Sequence, residues 1–127
     1  MKLLHTMIRV INIEKSLKFY QEVLGLKLVR SMEVKKVGAT LYFLTDETGN
    51  YELELTYNHK LPEGGYSHGS HFGHLAVGVN DMDKFSGILR ANGLEYSREP
   101  FMITESGPKI AFIADPDGIT IEIIEKR

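Results

Sequence analysis

Cysteine is missing from the 127 residues. That removes a disulfide framework and a thiolate nucleophile, and it fits a reducing compartment such as the cytoplasm. Net charge is nearly missing too: 15 basic and 17 acidic residues leave −2, and basic doublets are confined to Lys35–Lys36 and Lys126–Arg127. A chain so poor in clustered positive charge lacks the electrostatic footprint of a protein that binds nucleic acid or an anionic membrane surface. No apolar run approaches the roughly 18 residues of a membrane span, and "MKLLHTMIRV" lacks the unbroken apolar core of a signal peptide. Neither the Gly-x-x-x-x-Gly-Lys-Ser/Thr phosphate loop nor the Gly-x-Gly-x-x-Gly fingerprint occurs, and "GSHFG" is not a nucleophile elbow. These absences make a soluble cytoplasmic protein the default expectation and take support from the nucleotide and serine-hydrolase readings.

With 43% hydrophobic and 25% charged residues, the chain has the size and make-up of one compact domain with a real core. That domain is written twice. "LLHTMIRV" alternates as a half-buried strand, with His5, Met7 and Arg9 on one face. "NIEKSLKFYQEVLG" follows as a helix, with Asn12 as N-cap, Leu17, Tyr20 and Leu24 on one stripe, and Gly25 at the left-handed C-terminal position. Three strands come next, in "LKLVRSME", "ATLYFLTD" and "YELELTY". The second half repeats the order with "HLAVGV", a helix in "NDMDKFSGILRANG", then "EYSRE", "KIAFIAD" and "TIEIIE". Met82, Phe85 and Leu89 on the second helix read as core. Asn80 − Asn12, Gly93 − Gly25 and Glu122 − Glu54 each give 68, and His74 − His5 gives 69, with Ile11 as the extra residue. Internal similarity at one period marks duplication. The expected fold is α+β: two tandem βαβββ modules, about 1–57 and 73–127, joined by a Gly-rich loop at about 58–72.

In "YELELTY" the apolar Tyr51, Leu53, Leu55 and Tyr57 alternate with Glu52, Glu54 and Thr56. In "ITIEIIE" Ile119, Ile121 and Ile123 likewise oppose Thr120, Glu122 and Ile124. Glu54 and Glu122 therefore share a face with His5 and His74 if the strands pair as supposed. A lone strand histidine is more often a hydrogen-bonded structural residue, and a lone glutamate is usually solvated. Two His/Glu pairs at spacings of 49 and 48 residues, one from each copy, point instead to a metal site around which a curved mixed sheet closes. Two imidazoles and two carboxylates suit nickel, cobalt, iron, manganese or zinc and leave open positions for chemistry. His59, His68 and His71 sit in the loop, where flexible backbone makes poor ligands. His71 also has no counterpart, since Lys2 occupies the matching place. The length and glycines of this loop read as a flap over a site.

"HTMIRV", "FYQEVLGLKLVR", "LELTYN", "FGHLAVGV" and "DPDGITIEIIE" together resemble glyoxalase I, the lactoylglutathione lyases of the vicinal oxygen chelate superfamily, over nearly the whole chain. The resemblance implies a single glyoxalase-like domain over 1–127. It also implies metal ligands at His5, Glu54, His74 and Glu122, the positions already picked out by spacing. Arg9 and Asn58 match positions that contact the glutathione part of the substrate. Ser70 stands where some members have an arginine, and a lysine of the late loop is replaced near Thr104, so the thiol meets fewer cations. The short chain looks more like the nickel- or cobalt-activated bacterial branch than the longer zinc-using relatives. The family's sheets often pair between subunits, so a homodimer is expected.

The implied reaction isomerises the hemithioacetal of methylglyoxal and glutathione, or a related thiol, to S-D-lactoylglutathione through an enediolate, a methylglyoxal detoxification step. A divalent metal would stabilise the developing charge. Glu122 is the expected proton shuttle, with Glu54 as the alternative. An epimerase or a ring-cleaving dioxygenase could use the same fold, although a dioxygenase site of two histidines and one carboxylate would leave a glutamate idle. A non-enzymatic drug-binding module of this fold would need no ligands at all.

Overall fold

The computed structural model describes residues 1–126 and divides into two compact units, Met1–Ser67 and a second that starts at His68. Each unit is a βαβββ module. In the first, β1 (His5–Arg9) leads to α1 (Ile13–Lys18), and the three strands β2 (Lys27–Val34), β3 (Ala39–Thr45) and β4 (Glu52–Asn58) follow. The sheet order is β1-β4-β3-β2, with β1 parallel to β4 and the other pairs antiparallel. The second unit repeats this with β5 (Leu75–Val79), α2 (Met82–Ala91), β6 (Arg98–Met102), β7 (Lys109–Ala114) and β8 (Thr120–Glu125), ordered β5-β8-β7-β6. Each sheet is mixed because the helical crossover returns the chain parallel to its first strand, while the short turns between the later strands enforce antiparallel pairing. No helix among the described residues is long and apolar enough to cross a membrane.

The first helix starts where the sequence places it: Asn12 Oδ1 accepts from the Lys15 amide at 3.1 Å. Its middle departs from the expected stripe. From Phe19 to Val23 the chain winds as a π-helix, and the Leu24 amide donates to the Phe19 carbonyl. The wider turn brings Phe19, Tyr20 and Val23 into the core and leaves Leu17 and Leu24 only half-buried. The buried stripe Ile13, Ser16, Tyr20 and Val23 keeps helical spacing but is rotated away from Leu17 and Leu24. The chain leaves both helical segments through glycine at positive φ, Gly25 at 69° and Gly93 at 68°, a backbone region that other residues enter at a cost.

In the second module the cap is Asp81, whose side chain accepts from the Lys84 amide at 3.0 Å. Met82, Phe85 and Leu89 are buried as expected. The strand expected in "EYSRE" lies three residues later than proposed. β6 pairs with β7 at Arg98↔Phe112 and again at Phe101↔Ile110, with a register shift between. Pro100 sits in that irregularity and has no amide to give to the ladder.

Each sheet has two chemically distinct faces. In the first module Ile8, Leu53, Leu55 and Leu44 share the apolar side and are buried. His5, Met7 and Arg9 share the other side with Glu52, Glu54, Thr56 and Phe43, because aligned residues of paired strands project the same way. In the second module Ile121, Ile123, Ala111 and Ile113 form the buried apolar side, while Glu122 lies beside Ala76 and Phe112 on the opposite one.

Candidate metal and substrate site

The structure brings His5 to Glu54 and His74 to Glu122. His5 Nε2 lies 3.4 Å from Glu54 Oε1, and His74 Nε2 lies 3.0 Å from Glu122 Oε2. The histidines are 39% and 41% exposed at their side chains, the glutamates 10% and 16%, so each pair presents an open imidazole over a sheltered carboxylate. Both imidazoles keep Nε2 turned to the carboxylate, as two ligands of one cation would be arranged. Among the described residues, no three His, Cys, Asp or Glu side chains gather into one group able to hold a metal. What the fold supplies is therefore two matching half-sets, one per module.

An aromatic ring fixes each imidazole. His5 meets Phe43 edge-on, with ring centres 5.7 Å apart and planes at 83°, and His74 meets Phe112 at 5.9 Å and 73°. Phe43 stands directly across the ladder from Glu54, and Phe112 directly across from Glu122. Edge-to-face contact at this separation is the favourable aromatic geometry, so each phenyl ring limits the tilt of its histidine.

An arginine completes each face. Arg30 lies 3.9 Å above the Phe43 ring and pairs with Glu52 at 2.5 Å. Arg98 lies 3.7 Å above Phe101, which stacks on Phe112 at 6.4 Å. Sequence reasoning passed over Phe43, Phe112, Arg30 and Arg98, although a signal was there. Phe112 − Phe43 is 69 and Arg98 − Arg30 is 68, the same offsets that relate the histidines and glutamates.

Glu54 has a further partner. The Thr56 hydroxyl donates to Glu54 Oε2, and both residues are buried. Arg9 is exposed at the end of β1, on the face and four residues along from His5. Asn58 ends β4, and its Oδ1 accepts from the Tyr66 hydroxyl at 3.0 Å. Of the loop histidines, His59 bonds to Thr40 Oγ1 at 2.8 Å, His68 lies within 3.6 Å of the place a Cβ at Gly118 would occupy, and His71 is exposed. None of the three is joined to a carboxylate pair.

The family profile described as Glyoxalase/Bleomycin resistance protein/Dioxygenase superfamily matches residues 2–123. A lactoylglutathione lyase from Haemophilus influenzae is 43% identical over 129 residues, covering 100% of this chain and 94% of its own length. The crystal structure of glyoxalase I from Zea mays superposes with a TM-score of 0.85 at 34% identity and 98% of this chain, which spans 44% of the maize chain. The trypanothione-dependent glyoxalase I of Leishmania major superposes with a TM-score of 0.77 at 38% identity, with 98% of this chain and 86% of that one covered.

Proposed function

We propose an activity for this chain from one premise: it belongs to the glyoxalase/bleomycin resistance protein/dioxygenase superfamily. It is a glyoxalase I, a lactoylglutathione lyase that isomerises the hemithioacetal of methylglyoxal and glutathione to S-D-lactoylglutathione. The observation that carries this reading is the His–Glu pair set at the same place in each module, in a chain similar to lactoylglutathione lyases from end to end. The two modules act together as a single glyoxalase-like domain, and the cysteine-free composition fits a cytoplasmic enzyme.

His5, Glu54, His74 and Glu122 would hold one divalent cation, with nickel or cobalt favoured over zinc. The donor chemistry fits: two imidazole nitrogens and carboxylate oxygens make a borderline-to-hard set without sulfur, and each Nε2 already faces a carboxylate. When bound, the cation supplies positive charge beside the two adjacent oxygens of the substrate, where negative charge develops. Each module carries half of the ligands, and the working unit is a homodimer, as the resemblance to a family whose sheets pair between subunits implies. A site shared between copies would join the His5–Glu54 pair of one to the His74–Glu122 pair of the other, and a site within one chain would join the two pairs of that chain.

The chain's own groups account for the proton transfer. Glu122 removes the proton from the carbon bearing sulfur and returns it to the neighbouring carbonyl carbon, while a second proton passes between the two oxygens, so the reaction is a pure isomerisation. Arg9, on the same face as His5, supplies positive charge for a thiol carboxylate, and the Asn58 side chain supplies amide hydrogen bonds. The thiol is glutathione or a related thiol, and Ser70 and Thr104 leave its carboxylates fewer cations than some family members supply.

The test is thioester formation from methylglyoxal and several thiols by metal-stripped protein resupplied with nickel, cobalt or zinc in turn. Glu122→Gln is expected to lower kcat by at least about a hundred-fold while metal still binds. Near-normal turnover by this variant rejects the role of Glu122, and absence of turnover by the wild-type chain with every metal and thiol rejects the activity.

A further inference from the structure

We infer that Thr56 is a positioning residue that pins Glu54, and that Ile124, at the matching place in the second module (124 − 56 = 68), leaves Glu122 free to move. This rests on the glyoxalase reading. It explains how a duplicated fold can give two like carboxylates unlike duties.

The two half-sets share their core arrangement. Both have an imidazole against a carboxylate and an aromatic ring across the ladder. In a strand, residues two apart share a face, so the side chain at 56 stands beside that at 54, and 124 stands beside 122. Thr56 Oγ1 donates to Glu54 Oε2 while Oε1 faces His5, so both carboxylate oxygens are engaged. At Glu122, Oε2 faces His74, and among the described residues the other oxygen has no hydrogen-bond partner. Ile124 has nothing to donate.

Three properties make the threonine an effective clamp. A hydrogen bond to an ionised carboxylate is stronger than one between neutral groups. A β-branched side chain has few χ1 states, so its hydroxyl is presented in a fixed direction. Thr56 is 5% and Glu54 8% exposed, so little water competes for the bond. A carboxylate held at both oxygens stays a ligand, whereas one held at a single oxygen can swing toward a substrate carbon.

The test uses full-length Thr56→Val, Thr56→Ser and Ile124→Thr proteins, with two readouts: nickel binding to metal-free protein by calorimetry, which needs no turnover, and kcat and KM measured separately. Thr56→Val is expected to weaken nickel binding about ten- to a hundred-fold, and Thr56→Ser to restore it. Ile124→Thr, which sets a hydroxyl beside Glu122, is expected to lower kcat about tenfold or more with KM unchanged. The inference is overturned if Thr56→Val binds nickel like the wild type, if Thr56→Ser is no better than Thr56→Val, or if Ile124→Thr turns over normally. Should Thr56→Val fail to fold, the Ile124→Thr arm decides alone. A wild-type chain that binds nickel but does not isomerise the hemithioacetal sinks the glyoxalase reading instead, and the nickel arm still judges Thr56.

Discussion

In the first module the central strand β4 buries residues on both of its faces, Leu53 and Leu55 on one, Glu54 and Thr56 on the other. Its counterpart β8 buries only Ile121 and Ile123. The two strands have the same neighbours in the same directions, so topology does not set the difference. Polar satisfaction does. Burying an ionised carboxylate is costly unless hydrogen bonds replace the water it loses. Glu54 has the Thr56 hydroxyl as an internal donor, whereas among the described residues Glu122 has no such hydroxyl and keeps more of its surface open. Duplication copies a backbone and its ligand positions, and a single side chain two residues away then decides how deeply each copy of the ligand sits.

The comparison breaks most severely if the two modules do not contribute equal halves to shared sites. His5→Ala and His74→Ala chains are each expected to lose at least about a hundred-fold in activity, because each removes one ligand from every site. When the two chains are co-expressed, half of randomly assembled dimers are mixed. A mixed dimer in which sites form between copies has one site with both histidines missing and one intact. Co-expression should therefore recover about a quarter of wild-type activity. A mixture as inactive as its parents means that each site belongs to a single chain.

A smaller effect sharpens the difference in burial. Phe43 is 4% exposed, while Phe112 is half-buried and leans on Phe101. Phe43→Ala should cost about 3 kcal/mol or more, and Phe112→Ala about 2 kcal/mol or less, in urea unfolding at constant m-value. Equal losses would show that the two faces are packed alike in solution.

Much of this comparison was readable before any coordinates, because it rests on short periods. Alternation in "YELELTY" and "TIEIIE" put Glu54 and Glu122 on the faces where they lie, and the repeat offset tied each to its histidine. Three things escaped. The buried stripe of the first helix runs through Ile13, Ser16, Tyr20 and Val23, and the leucines Leu17 and Leu24 lie beside it, because the buried Ser16 gives no hydropathy signal. β6 runs three residues later than "EYSRE", through the irregularity at Pro100, since an unpaired position has no signature in hydropathy. The offset itself wanders, reaching 69 at Phe43 and Phe112 and returning to 68 at Glu54 and Glu122. The turn from Asp115 is one residue shorter than the turn from Asp46, so the paired phenylalanines drop out of register in a scan at one fixed spacing. Side-chain contacts such as the Thr56 bond are not a period at all. They depend on which rotamer a buried hydroxyl takes, and only coordinates supply that.

The last contrast lies in the helices. Ser16 is fully buried in α1, and its hydroxyl has no hydrogen-bond partner among the described residues. Ser86 in α2 donates to the Met82 carbonyl at 3.0 Å and shares a 2.8 Å bond with the Tyr96 hydroxyl. A buried hydroxyl without a partner keeps its desolvation penalty, and alanine is the better helix former, so Ser16→Ala is expected to stabilise the protein by about 0.5 to 1 kcal/mol. Ser86→Ala removes two bonds and strands the Tyr96 hydroxyl, so it should destabilise by about 1 kcal/mol. Opposite signs in thermal unfolding would show that the first helix buries a polar atom left unsatisfied where the second helix satisfies its own. A loss on Ser16→Ala would mean that this hydroxyl finds a partner in the folded protein after all.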